Sequence, residues 1–249
     1  MWAFKWLCIL LVLFVTFISG FYPFAKKIKN KTGLEFPIGD SIAAGVFLGA
    51  ALMHMLSDAS QDFFNLHYNY PFAALLAGGS FLFLLLLEHI GREIYHTRGA
   101  QSAPFAVLAV IILSIHSFLA GAALGLTTTL SLSLIILFAI LAHKWAASFS
   151  LAVQINRSNL SMKTGVILFL VFAAMVPLGI IAGTSVAEYF KAYPLIEPIF
   201  NALAAGTFLY LGTLHGLEKA TLITQCCNLR RFLFVIFGFV LMAVVAIWT

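Results

Sequence analysis

The chain has 249 residues, of which 62% are hydrophobic and only 9% are charged, and its mean hydropathy is +1.04. Because soluble domains are roughly one quarter charged, this composition excludes an ordinary soluble protein and indicates a polytopic membrane protein. At about 20 residues per span, the length allows about eight helices and no separate soluble domain.

Eight apolar runs follow one another along the chain. We expect each run to be a helix, because the open edge of a sheet cannot be satisfied in hydrocarbon. The first run could instead be a signal peptide, but it ends at a cluster of lysines and has no clear cleavage site. The sequence therefore predicts an all-α protein with one transmembrane domain, residues 1–249. Its helices are expected at about 2–22, 37–58, 71–91, 104–126, 132–155, 164–185, 195–214 and 232–248.

The net charge of +5 comes mainly from loops and does not indicate nucleic-acid binding. Eleven of the 14 Lys and Arg residues lie in alternate loops, which the positive-inside rule assigns to the cytoplasm. This predicts a multi-pass protein of the cell (inner or plasma) membrane, in contact with the lipid bilayer and with both termini outside. The chain is also compatible with a homodimer. The eleven residues are Lys26, Lys27, Lys29, Lys31, Arg92, Arg98, Arg157, Lys163, Lys219, Arg230 and Arg231.

Polar patches interrupt two successive predicted helices. The fourth helix contains His116 and Ser117, and the fifth contains His143 and Lys144. Ionisable groups at bilayer depth cost several kcal/mol, so they normally face a bundle interior or a water-filled path. A single histidine of this kind is commonly a packing residue, but two in neighbouring helices predict a cation path. Ser117 and Lys144 each lie about 100° around their helix from the preceding histidine and could line the same cavity.

Six stretches of the chain are similar to motifs of one known family: AGVFL at 44–48, HMLSDA at 54–59, LLLLEH at 84–89, HSFLAGAALGL at 116–126, HKWAASFSL at 143–151 and AAGTFLY at 204–210. Through these stretches the sequence resembles the Zrt/Irt-like (ZIP) family of divalent metal transporters. The resemblance implies an eight-helix fold that binds metal between helices four and five and moves zinc, iron or manganese into the cytoplasm.

Three positions depart from the family pattern. Ala120 stands where the family has a glutamate in helix four, and Ala147 where many members have an acid in helix five. His215 stands where the family has an acid after AAGTFLY. We therefore expect one weak metal site formed by His116, Ser117 and His143. Imidazole ligands suit Zn²⁺ best, and Fe²⁺ or Mn²⁺ is the alternative substrate. We expect no cofactor.

Five further residues are candidates for the transport pathway. Lys144, if protonated, would repel a second cation near the site. His54 and Asp58 share a helix face and are either an entrance or a water-exposed pair at a helix end. Glu88 is either an exit residue or exposed at the interface, and His215 is either an exit ligand or an anchor at the level of the headgroups.

Three classes of function compete for this sequence. The first is a ZIP-like importer of a divalent transition metal, and the second is a ZIP-fold protein that has lost or altered metal transport and acts in binding or regulation. The third, an intramembrane hydrolase, is disfavoured because the chain contains neither HExxH nor GxSxG. We therefore expect a transporter and not an enzyme.

Overall fold

The computed structural model describes residues 2–25, 36–95, 103–185, 193–214 and 229–248. All regular structure in these ranges is helical, which confirms the prediction of an all-α polytopic membrane protein. Eight helices are numbered in chain order: α1 (Trp2–Ala25), α2 (Pro37–Gly49, continued by the π-helical Ala50–Met55 and by Leu56–Asn65), α3 (Phe72–Tyr95), α4 (Ala103–Leu126), α5 (Leu130–Arg157), α6 (Met162–Ser185), α7 (Ile196–Tyr210) and α8 (Leu229–Val245).

Six of these helices are long and apolar enough to cross a membrane: α1, α2, α5 and α6 over their full lengths, α3 over Phe72–Ile90, and α4 over Ala106–Leu126. α7 has 15 α-helical residues and is continued by a π-helical turn at 211–214, and α8 has 17 and begins directly after residues outside the described part. The apolar runs thus become helices because a span in lipid must satisfy its backbone hydrogen bonds internally.

Helix α2 continues beyond the apolar run that predicted it. The run indicated an end near Asp58, whereas the helix extends to Asn65. Ala59 and Phe63 lie four residues apart, so they share a face, and both are buried against Ala73 and Ala202. Packing of this face on α3 and α7 therefore stabilises the last turns of α2, where most of the other residues are polar.

Helices α1, α4, α5 and α6 belong to one compact unit, which comprises Met1–Glu35 and Ile90–Glu188. Within it α4 packs along α6, and α1 packs along α5. Their apolar side chains form one buried core, made of Cys8, Ile9, Val12, Leu124, Leu137, Ile140, Val176 and Ile180.

The contact between α4 and α6 is formed by a glycine seam, which consists of Gly121 and Gly125 on α4 and Gly179 and Gly183 on α6. A Cβ atom on Gly179 would collide with the Phe118 carbonyl oxygen and lie 2.8 Å from the backbone nitrogen of Ala122. Small residues let two helix backbones approach this closely in a membrane. The seam therefore fixes the position of the α4 segment that carries His116 and Ser117.

Lys5 ties α1 to the ends of α4 and α6. Its side chain is buried, and Nζ donates hydrogen bonds to the Gly125 carbonyl at 2.5 Å and to Thr184 Oγ1 at 3.1 Å. Gly125 lies in the last turn of α4, where exposed carbonyls carry partial negative charge and favour a cation. Lys5, which in the sequence looks like an ordinary residue near a helix end, therefore links three helices through buried hydrogen bonds.

Helices α2, α7 and α8 and most of α3 belong to the second compact unit, Phe36–His89 and Tyr189–Thr249. Here α8 packs along α2, with Gly45 and Gly238 each against the other helix's backbone. α3 meets α7 through small residues: Ser80 Oγ donates to the Leu203 carbonyl at 3.0 Å, and Gly206 lies against Ala77. Close backbone packing of small residues therefore recurs in this unit.

Candidate metal centre

The imidazoles of His116 on α4 and His143 on α5 lie side by side in the first unit. Their ring centroids are 5.6 Å apart, and the ring planes are inclined by 59°. The two residues are only 7% and 3% exposed. The two polar patches that the sequence places in different helices therefore meet in the structure.

The spacing of the two rings suits shared coordination. Zinc binds imidazole nitrogen at about 2.0–2.1 Å with tetrahedral angles, which puts the centroids of two ligand rings roughly 5 Å apart. The observed separation of 5.6 Å differs from this value by a few tenths of an ångström. The centroid separation is therefore compatible with two imidazole ligands of one ion, and the ligand roles of His116 and His143 stay predictions.

Lys144 lies beside the histidine pair and is 2% exposed. Its Nζ donates a hydrogen bond to Ser117 Oγ at 2.9 Å and lies 3.7 Å from the centroid of the Phe172 ring on α6. In its protonated form, a lysine amine over the face of an aromatic ring is attracted by the ring's negative π-face. The predicted neighbourhood of Ser117 and Lys144 is thus a direct contact, and an aromatic side chain from α6 completes it.

Helices α4, α5 and α6 supply no carboxylate to this region. No Asp or Glu occurs at residues 94–187, and Ala120 and Ala147 stand one turn after the two histidines. Within the described ranges, no group of three or more His, Cys, Asp or Glu side chains is arranged to hold a metal ion. Any ion at this centre would therefore be held by neutral ligands next to a lysine.

The other predicted pathway residues belong to the second unit. His54 Nδ1 and Asp58 Oδ2 are 2.8 Å apart on α2, with side chains 18% and 36% exposed. Glu88 on α3 is buried, and its Oε2 accepts a hydrogen bond from the Tyr210 hydroxyl at 2.5 Å. His215 lies outside the described residues. The pathway roles of these residues stay predictions.

Phe172 is the part of the centre that the sequence did not indicate. It is fully buried in α6, in a run of apolar residues. In the sequence, a phenylalanine at such a position looks like any other core residue. Only its contact with Lys144 distinguishes it. No signal in a single sequence could have selected it.

Comparison with known proteins adds a family match. The family model described as ZIP Zinc transporter matches residues 2–107 and 96–246. The chain is 26% identical to zinc transporter ZIP2 of Mus musculus, covering 97% of this chain and 96% of that protein. It is 28% identical to zinc transporter 11 of Arabidopsis thaliana, covering 97% and 84%, and 29% identical to zinc transporter ZIP1 of Takifugu rubripes, covering 93% of each.

Proposed function

The chain belongs to the ZIP zinc transporter family, and we propose that it carries a divalent transition metal into the cytoplasm through a site between α4 and α5. Zinc is the proposed substrate because imidazole ligands suit this borderline ion, and because the relatives are named as zinc transporters. Iron or manganese is the alternative substrate. His116, His143 and Ser117 are the proposed ligands.

The observation that carries this proposal is the buried pair of imidazoles. Two histidines from successive membrane helices lie 5.6 Å apart between ring centroids. Intramembrane ionisable residues generally mark a substrate or ion pathway. A pair with the spacing of a shared zinc site is a stronger indication than either histidine alone.

The proposed site holds a single ion weakly. Two neutral imidazoles and a hydroxyl leave most of the ion's charge uncompensated, and the neighbouring Lys144, when protonated, opposes a second cation. Two unit charges about 4 Å apart interact by roughly 4 kcal/mol at an effective dielectric near 20. Repulsion of this size excludes a second metal beside Lys144 and favours release of the first.

Uptake of radioactive zinc into vesicles containing the purified protein tests transport itself. The proposal predicts accumulation above that of protein-free vesicles at the same free zinc concentration. Absence of such uptake would favour the alternative, a ZIP-fold membrane protein with lost or altered metal transport that acts in binding or regulation. The specific observation behind this alternative is Ala120, which stands in place of the family's helix-four acid.

Restoring the acid should strengthen metal binding. Ala120 lies one helical turn after His116, so the two side chains share a face, and Ala120→Glu would bring a carboxylate to the ligand side of α4. We expect the zinc concentration for half-maximal uptake to fall about tenfold or more, since each 1.4 kcal/mol is worth tenfold in affinity. Uptake assays over a range of free zinc measure this, with Ala120→Gln as the uncharged control. Equal effects of Glu and Gln would contradict a site limited by missing negative charge.

The proposed setting is the cell (inner or plasma) membrane, with both termini outside and with a homodimer as the proposed assembly. The basic loops support this orientation through the positive-inside rule. His54 and Asp58 are then proposed for the entrance, and Glu88 and His215 for the exit. A C-terminal tag that reacts with antibody only after permeabilisation would contradict the orientation.

A further inference from the structure

Protonated Lys144 has more N–H donors at Nζ than hydrogen-bond acceptors in the described part of the chain. A lysine ammonium has three N–H donors, yet in the described part of the chain the only hydrogen-bond acceptor of Lys144 Nζ is Ser117 Oγ. The Ser117 hydroxyl, which accepts this bond, keeps its own hydrogen to donate. These buried N–H and O–H donors need a further acceptor, because burying a polar group without a hydrogen bond costs free energy.

Ser114 adds a second, independent sign of a missing acceptor. It is 7% exposed, and its Oγ has no hydrogen-bond partner among the described residues. Two other buried helical serines in this unit donate to the carbonyl one turn back: Ser148 to Lys144 and Ser133 to Thr129. Ser114 lies three residues before Ser117, about 4.5 Å along α4 and about 60° around it. Both hydroxyls therefore project from the same side of α4.

Helices α1, α4, α5 and α6 of the first unit contain buried lysines but no acidic residue, which also indicates a missing acceptor near Lys144. No Asp or Glu occurs at residues 1–34 or 94–187, so α1, α4, α5 and α6 contain none. These helices nevertheless bury Lys5 and Lys144. Lys5 has a helix-end carbonyl and a hydroxyl as acceptors, whereas Lys144 has one hydroxyl and an aromatic face. Of the two buried lysines that the structure describes in this unit, Lys144 therefore has the fewer oxygen acceptors.

We propose that a small monovalent anion binds against Lys144, Ser117 and Ser114 and supplies the negative charge that the neighbouring cation site lacks. The inference rests on the proposed function for its role in transport, but anion binding itself does not require it. An anion accepts hydrogen bonds from the lysine and from both hydroxyls, and such charge-assisted bonds are stronger than neutral ones. It also attracts a cation held by His116 and His143.

Chloride binding to the full-length protein in detergent, without added metal, tests the site. We expect the thermal unfolding midpoint to rise with sodium chloride relative to sodium gluconate of the same ionic strength, because a ligand of the folded state stabilises it. In Ser114→Ala, about tenfold more chloride should be needed for the same rise, as expected for the loss of one hydrogen bond to a charged group. Ser185→Ala is the control, since that hydroxyl is exposed and already donates to the Ile181 carbonyl. Equal midpoints in the two salts, or an unchanged chloride response in Ser114→Ala, would overturn the proposal.

Zinc uptake in the two salts separates this inference from the proposed function. At one fixed free zinc concentration, we expect uptake to be several-fold faster in chloride than in gluconate, and this ratio to shrink in Ser114→Ala. Uptake at equal rates in both salts would overturn the role of the anion while transport stands. A chloride-dependent midpoint without zinc uptake in either salt would uphold the anion site and reject the proposed transport.

Discussion

Replacing either His116 or His143 by alanine is expected to reduce zinc uptake by at least about 100-fold at low free zinc. Loss of a group that merely supports a metal ligand already costs 10–100-fold in affinity, and here one of only two imidazoles would be removed. The double variant should be no more impaired than the single ones, because either change destroys the shared site. Initial rates of radioactive zinc uptake into vesicles, normalised to the amount of folded protein, measure the effect.

His67 offers a matched control for these variants. It is exposed and adopts a positive φ of 65° in the described part of the loop between α2 and α3, a conformation that asparagine tolerates well. His67→Asn therefore removes an imidazole without straining the backbone, and its uptake should equal that of the unmodified protein. Wild-type rates in the His116→Ala, His143→Ala double variant would defeat the assignment of the site.

Replacing Gly179 by leucine is expected to abolish stable folding of the α4–α6 pair. Even a Cβ atom at this position would collide with the Phe118 carbonyl oxygen and lie 3.0 Å from the Gly121 Cα atom. Overpacking a well-packed interior commonly costs about 1–3 kcal/mol, and a leucine against two backbones should exceed this range. Gly179→Ala should show a smaller loss in the same direction. The thermal unfolding midpoint and the fraction of monodisperse protein in detergent measure both.

Gly78 on α3 is the matched control for this change. No atom of the described residues lies within 4 Å of the place that its Cβ would occupy, so Gly78→Leu has room for the added side chain on an exposed face. We expect its unfolding midpoint to equal or exceed that of the unmodified protein, since glycine is a poor helix former. If Gly179→Leu and Gly78→Leu were equally stable, the close contact of α4 and α6 would be contradicted.

The sequence predicted the helical class and the family because both depend on patterns that span most of the chain. Apolar runs separated by basic loops indicate membrane helices, and the family match at residues 2–107 and 96–246 confirms the resemblance. The continuation of α2 to Asn65 was not predicted, because hydropathy falls after Asp58 while a helical face of Ala59 and Phe63 remains buried. The π-helical turn Ala50–Met55 likewise has no signature in the apolar pattern.

The candidate site was predictable in its polar members but not in its contacts. His116, Ser117, His143 and Lys144 are conspicuous because they interrupt apolar helices, and periodicity places Ser117 and Lys144 beside the histidines. The contact of Lys144 with Phe172 depends on the approach of α6, which the glycine seam sets through tertiary packing. The sequence also could not show that the Ser114 hydroxyl has no partner among the described residues, since a helical serine usually bonds to its own backbone.

Crystals of the protein grown with zinc, measured at the zinc absorption edge, test the central claim most directly. The account predicts one anomalous peak between the two rings, within about 2.0–2.1 Å of a nitrogen of His116 and of His143. Zinc peaks elsewhere in the chain, with none between these imidazoles, would contradict it.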